Sequence, residues 1–140
     1  SLILAGEDAV KKYNLKPLAR LVDWESAGVD PTIMGIGPVP AIQAILKNNN
    51  LTIDDIDQIE INEAFAVQLL SCEKELGIDR NKLNINGGAI AMGHPTGASG
   101  ARITGHLVHE MNRNKELKYT IGSACIGGGQ GIALLLENCN

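Results

Sequence analysis

At 140 residues with 44% hydrophobic content, the chain has the length of one domain and enough apolar material for a buried core, which argues against disorder. A net charge of −4 argues against nucleic acid as a partner, since that role calls for clustered Lys and Arg in excess. No apolar run reaches the roughly 18 residues of a membrane span, so no membrane partner is expected. Three cysteines, Cys72, Cys125 and Cys139, lack the even number and dense spacing of a disulfide scaffold and predict a reducing, cytoplasmic setting.

The chain opens apolar and continues into a short helix through Glu7 to Tyr13, closed by Asn14 with Pro17 just beyond. Leu18 to Val29 alternates in part and reads as a strand. Gly35 to Pro40 is a loop that hands over to a helix over Val39 to Lys47, ended by Asn48-Asn49-Asn50. Ile56, Ile59 and Ile61 predict a strand over 56–61, with Asn62 and Glu63 at its carboxyl end. Phe65, Leu69, Cys72 and Leu76 then form the inward face of a helix stopped by Gly77, which makes Cys72 a core residue. Residues 84–100 are too rich in glycine for a regular element, and Pro95 forbids a helix through them. A helix over Ala98 to Asn112 follows, with Ile103, Leu107 and Met111 inward and Arg102, His106, His109 and Arg113 on the opposite, solvated stripe. Tyr119 to Ala124 and Ile132 to Glu137 are two strands joined by a glycine turn. Strands alternating with helices predict an α/β layered domain with a mixed sheet whose closing pair is antiparallel.

Chemistry concentrates in three places. Cys125 leaves a strand into Gly127-Gly128-Gly129, where absent side chains let backbone N–H groups approach the same atoms as the thiol. His94 stands between Gly93 and Pro95, exposed by one and stiffened by the other, so that a ring N–H can face a substrate oxygen. Asn62 and Glu63 sit where open α/β sheets gather ligands, although Asn is also a favoured helix N-cap and Glu suits a first turn. His106 and His109 lack a third ligand, and no metal site is expected.

Taken in order, Met34 to Ala41, Asn62-Glu63-Ala64-Phe65-Ala66, Asn86 to Arg102 and Cys125 to Gly131 resemble the C-terminal half of a thiolase, over nearly the whole chain. The resemblance implies a thiolase-like C-terminal domain at 15–140, built as a mixed five-stranded-type sheet with helices packed on it. Residues 1–14 would be the closing segment of the N-terminal half. It implies an acyl-CoA C-acyltransferase that joins acyl-CoA units in a Claisen condensation or cleaves a 3-ketoacyl-CoA, and the Cys-Ile-Gly-Gly-Gly-Gln-Gly form looks closer to short-chain enzymes acting on acetoacetyl-CoA. By the same resemblance Cys125 is the acid/base. His94 and Asn62, the latter through a water, form an oxyanion hole, and the Gly127 N–H is half of a second hole. Such a donor contributes about 3 to 4 kcal/mol to transition-state stabilisation. Glu63 orients this region, and Ala91, Met92 and Pro95 meet the acyl and pantetheine end of the substrate. Coenzyme A thioester enters as substrate, with no other cofactor.

The family also needs a nucleophilic cysteine in its N-terminal half, and neither Cys72 nor Cys139 lies in an activated position. The expectation is a chain inactive alone, completed by an N-terminal thiolase half in cis or as a separate chain, and assembled as a homo-oligomer. The alternatives are a non-catalytic CoA-binding or dimerisation module and another condensing enzyme of the same superfamily.

Overall fold

A computed structural model describes residues 1–139. Four strands, β1 (Ala19–Gly28), β2 (Gln58–Ile61), β3 (Tyr119–Ile126) and β4 (Gln130–Asn138), form one sheet in the order β1-β4-β3-β2. The β3–β4 hairpin and the β1–β4 pair are antiparallel, whereas β2 runs parallel to β3. The carboxyl ends of β2 and β3 therefore lie at the same side of the sheet. Five helices accompany the strands: α1 (Glu7–Tyr13), α2 (Pro38–Asn48), α3 (Ala66–Leu76), α4 (Ala89–Met92) and α5 (Ser99–Arg113).

Period-2 alternation distributes the apolar side chains to two cores. Ile59, Ile61, Ile121, Ala133 and Leu135 face α2 and α3, where Ile42, Ile45, Leu69 and Cys72 meet them. Leu134 and Leu136 of β4 face the other way and pack with Ile103, Leu107 and Met111 of α5. Each such aliphatic side chain contributes about 1.5 to 3 kcal/mol when removed from water. Alternation along the strands thus places one helix pair and one helix on opposite faces.

The sheet has four strands where five were expected. Leu83 makes a single parallel bridge to Ile59 on the outer edge of β2, and Asn84 then turns into the left-handed region at φ 46°. Its side chain takes over the pairing: Oδ1 accepts the Ile61 N–H at 2.9 Å, and Nδ2 donates to the Ile61 carbonyl at 2.9 Å. One amide thereby satisfies an edge that would otherwise need another strand.

Three further expectations are corrected. Phe65 is 64% exposed and precedes α3, whose buried face is Gln68, Leu69 and Cys72, because Gln68 Oε1 folds back to accept the Ala64 N–H at 3.1 Å. Residues 89–92 form a helical turn inside the glycine-rich stretch. Arg102 and His106 are not a solvated stripe, for both reach the buried carboxylate of Glu60 on β2.

Candidate active site

The site lies at the carboxyl ends of β2 and β3. Register pairs Ile61 with Ser123, and the next residue, Asn62, donates its backbone N–H to the Ser123 carbonyl at 2.8 Å. Asn62 is 1% exposed, and its Oδ1 has no hydrogen-bond partner among the described residues. Its Nδ2 lies 3.3 Å from Nε2 of His94, which the exposed 93–98 loop brings over the strand end. His94 Nδ1 is held in turn by Ser99 Oγ at 2.7 Å. Neither Asn62 nor Glu63 is the N-cap of α3, a place taken by Phe65.

Glu63 anchors the loop rather than the imidazole. Oε1 accepts from Asn84 Nδ2 at 3.0 Å, and Oε2 accepts the Ile90 N–H at 2.9 Å, fixing the first turn of α4. Ala91 and Met92 end that turn with exposed side chains, and Pro95 is exposed one residue beyond His94. All three side chains are thus exposed within a few residues of His94 in sequence.

Cys125, the penultimate residue of β3, is half-buried on the face that Ile121 turns toward α2 and α3. Register brings Cys125 to the same end of the sheet as Asn62, although alternation turns the two toward opposite faces and no bond links them. Burial pushes the Cys125 thiol above its ordinary pKa, with its own backbone amide opposing the rise. Gly127 is exposed in the turn that follows, where Gly128 and Gly129 take φ of 87° and 86°. The Gly129 carbonyl accepts the Val29 N–H at 2.7 Å, tying this turn to the end of β1.

The loop before α2 reaches the same place through a backbone contact. A Cβ on Gly37 would lie 2.8 Å from the Gly131 nitrogen, and one on Gly131 would lie 2.6 Å from the Pro38 nitrogen. Two glycine-bearing motifs far apart in sequence are thus pressed together beside Cys125.

The other thiols differ from it. Cys72 is fully buried and pushed up to about 11, chiefly by burial, with the Gln68 amide opposing and Cys125 adding to the rise. Cys139 is exposed in the tail after β4. Two residues of the site were not singled out from sequence, Ser99 and Glu60. A charge set between Ile59 and Ile61 was a usable signal for Glu60, while Ser99 carries none beyond its distance of five residues from His94.

The arrangement offers a thiol, a paired amide and imidazole, and a glycine turn at one strand end, the components of acyl chemistry. Residues 15–138 match the family model described as thiolase, C-terminal domain. Across 99% of its length the chain is 60% identical to the mitochondrial 3-ketoacyl-CoA thiolase of Bos taurus. It is 52% identical over its full length to the acetyl-CoA acetyltransferase of Escherichia coli strain K12. The solved structure of human mitochondrial 3-ketoacyl-CoA thiolase in complex with CoA superposes with a TM-score of 0.93 over 96% of this chain, at 58% identity. The chain spans about a third of the length of these relatives, 34% for the bovine and human proteins and 35% for the bacterial one. With the family model matched over most of its length and these relatives aligned throughout, the chain belongs to the thiolase C-terminal domain family.

Proposed function

We propose that this chain supplies the acid/base and oxyanion-binding half of a thiolase site acting on 3-ketoacyl-CoA. The observation that carries the reading is the approach of Asn62 Nδ2 and His94 Nε2 to 3.3 Å at the strand end where Cys125 also emerges. In cleavage, the thiolate of a cysteine from another segment attacks the 3-keto carbon, and the bond between C2 and C3 breaks. Its electron pair becomes an enolate whose oxygen faces His94 and, through a water, Asn62. The enolate carbon takes the proton from Cys125 Sγ. A thiol raised by burial is protonated at neutral pH and suits that donation. Coenzyme A then gives its proton to the Cys125 thiolate and attacks the acyl-enzyme, whose carbonyl oxygen faces the Gly127 N–H, and the acylated cysteine leaves as the thiolate that began the cycle. Condensation reverses these steps.

The acyl-accepting cysteine is assigned to a second segment because Cys72 is sealed and protonated and Cys139 stands apart from the site in the tail. That segment is proposed to dock as the N-terminal half, with the domain boundary at residue 15, where the family match begins. Exposed Leu2, Leu21, Trp24 and Ile132 support such burial and the assembly of a homo-oligomer. Ala91, Met92 and Pro95 are proposed to meet the acyl and pantetheine end, and Glu63 to hold their loop. Acetoacetyl-CoA is the first substrate to test, on the strength of the Cys125 to Gly131 motif, with longer 3-ketoacyl-CoA next because of the thiolase relatives. Three free thiols support a reducing compartment, cytoplasm or mitochondrial matrix. No helix among the described residues is long and apolar enough to cross a membrane.

The test is CoA-dependent cleavage of acetoacetyl-CoA by the chain alone and with an N-terminal thiolase half added. The expected result is silence alone, turnover on addition, and loss of that turnover in Cys125→Ser. Turnover by the chain alone, or turnover indifferent to Cys125→Ser, overturns the assignment. Measurable CoA binding with no rescue would favour the binding-module alternative.

A further inference from the structure

Ser99 touches the imidazole, and the roles above leave it unused. It opens α5, is 3% exposed, and places Oγ 2.7 Å from His94 Nδ1. A neutral imidazole carries one N–H, so the proton in this contact decides what the other ring nitrogen does. With the proton on Nδ1, Nε2 is a bare acceptor that receives the Asn62 amide at 3.3 Å and has nothing to offer an oxyanion. With the proton on Nε2, His94 and Asn62 present two donors 3.3 Å apart, close enough for one acceptor oxygen to take both.

The hydroxyl proton has one competing acceptor, the Pro95 carbonyl at 3.2 Å. That oxygen already accepts the Ala98 N–H at 2.8 Å and the Ser99 N–H at 3.0 Å, which occupies both of its lone pairs. The imidazole nitrogen is nearer and uncontested, and burial of Ser99 keeps water from competing. We propose that Ser99 is a positioning residue for His94: its O–H donates to Nδ1 and holds the His94 proton on Nε2, toward the acceptor position shared with Asn62. The inference rests on the reading of His94 as an oxyanion donor. It assigns the tautomer to a hydroxyl, where metal sites and catalytic triads use a carboxylate or carbonyl.

Imidazole nitrogen–proton correlation spectra of the 140-residue chain test it, with His94 assigned by the signals lost in His94→Asn. The expected wild-type pattern is a protonated Nε2 and an unprotonated, hydrogen-bonded Nδ1. Ser99→Ala should raise the Nδ1–H form several-fold, and Ser99→Thr, which keeps the hydroxyl, should return the wild-type pattern. A wild-type ring protonated on Nδ1 overturns the proposal by itself, whether or not the variants fold. A folded Ser99→Ala chain with an unchanged ring, or a folded Ser99→Thr chain with the alanine pattern, does so as well. The spectra need no turnover, which separates two failures. Nε2–H in a chain that never completes a thiolase removes the functional reading and leaves Ser99 in its role. Nδ1–H in an active reconstituted enzyme removes only the role of Ser99.

Discussion

Glu60 of β2 and Arg102 of α5 form an ion pair at 2.5 Å in which the carboxylate is entirely buried. The second carboxylate oxygen meets Nδ1 of His106, one helical turn further along α5, and His106 Nε2 lies 3.1 Å from the Asn86 amide. A single buried acid therefore ties a strand, a helix and the start of the glycine-rich loop together. Asn62 follows Glu60 by two residues, and Ser99 precedes Arg102 by three, so the same tie sets where the two sides of the site stand relative to each other.

Removing that charge should cost more than a surface ion pair. Breaking a buried pair by deleting one partner is typically worth about 3 to 5 kcal/mol, because the other charge is left without compensation. Arg102 retains 22% side-chain exposure, and its Nε and Nη2 already lack partners among the described residues, so the lower end applies. Glu60→Gln should lower unfolding free energy by about 3 kcal/mol in urea. Replacing both partners, Glu60→Leu with Arg102→Met, should recover most of the loss. A Glu60→Gln chain within about 0.5 kcal/mol of the parent would show that the tie contributes little.

What was legible in the sequence follows from which forces act locally. The two strands flanking the glycine turn, Tyr119 to Ala124 and Ile132 to Glu137, and the stripe Ile103, Leu107, Met111 depend on local pattern, and they placed the hairpin and α5. Phe65 misled because its spacing fits a helical face, while the Gln68 side chain starts the helix one residue later. Arg102 and His106 misled because charge on a helix ordinarily means solvent, and their partner lies 42 and 46 residues away. The pairing of Asn62 with His94, although both were singled out, needed the parallel β2–β3 register to bring residues 32 apart into contact.

The approach of Gly37 to Gly131 predicts an intolerance that composition would not suggest. A Cβ at either position meets rigid backbone rather than a movable side chain, the Gln130 carbonyl carbon at 2.6 Å in one case and the Pro38 nitrogen at 2.6 Å in the other. Overpacking ordinarily costs about 1 to 3 kcal/mol, and backbone that cannot yield places these sites at the top of that range. Gly131→Ala should lose about 3 kcal/mol or fail to fold, whereas Gly28→Ala, with open space around its Cβ position, should change stability by about 0.5 kcal/mol or less. Equal unfolding midpoints for the two variants would remove the close contact as an explanation for the motif.

Cys72 makes the fold sensitive to alkali. Its thiol ionises near 9.0 when free and only at about 11 in the folded chain, where burial opposes the thiolate. Between those values the unfolded chain releases a proton that the folded chain retains, so stability is full below the lower pKa and falls as pH rises toward the upper one. For this one thiol the expected loss from about pH 8 to about pH 10 is roughly 1 kcal/mol. Cys125, also raised by burial, contributes in the same direction. Urea unfolding across that window should show the decline in the parent chain and a shallower one in Cys72→Ala, whose lower starting stability does not affect the comparison of slopes. Identical slopes would mean that Cys72 ionises in the folded chain as easily as in the unfolded one, and its assignment as a sealed, unreactive thiol would fall with it.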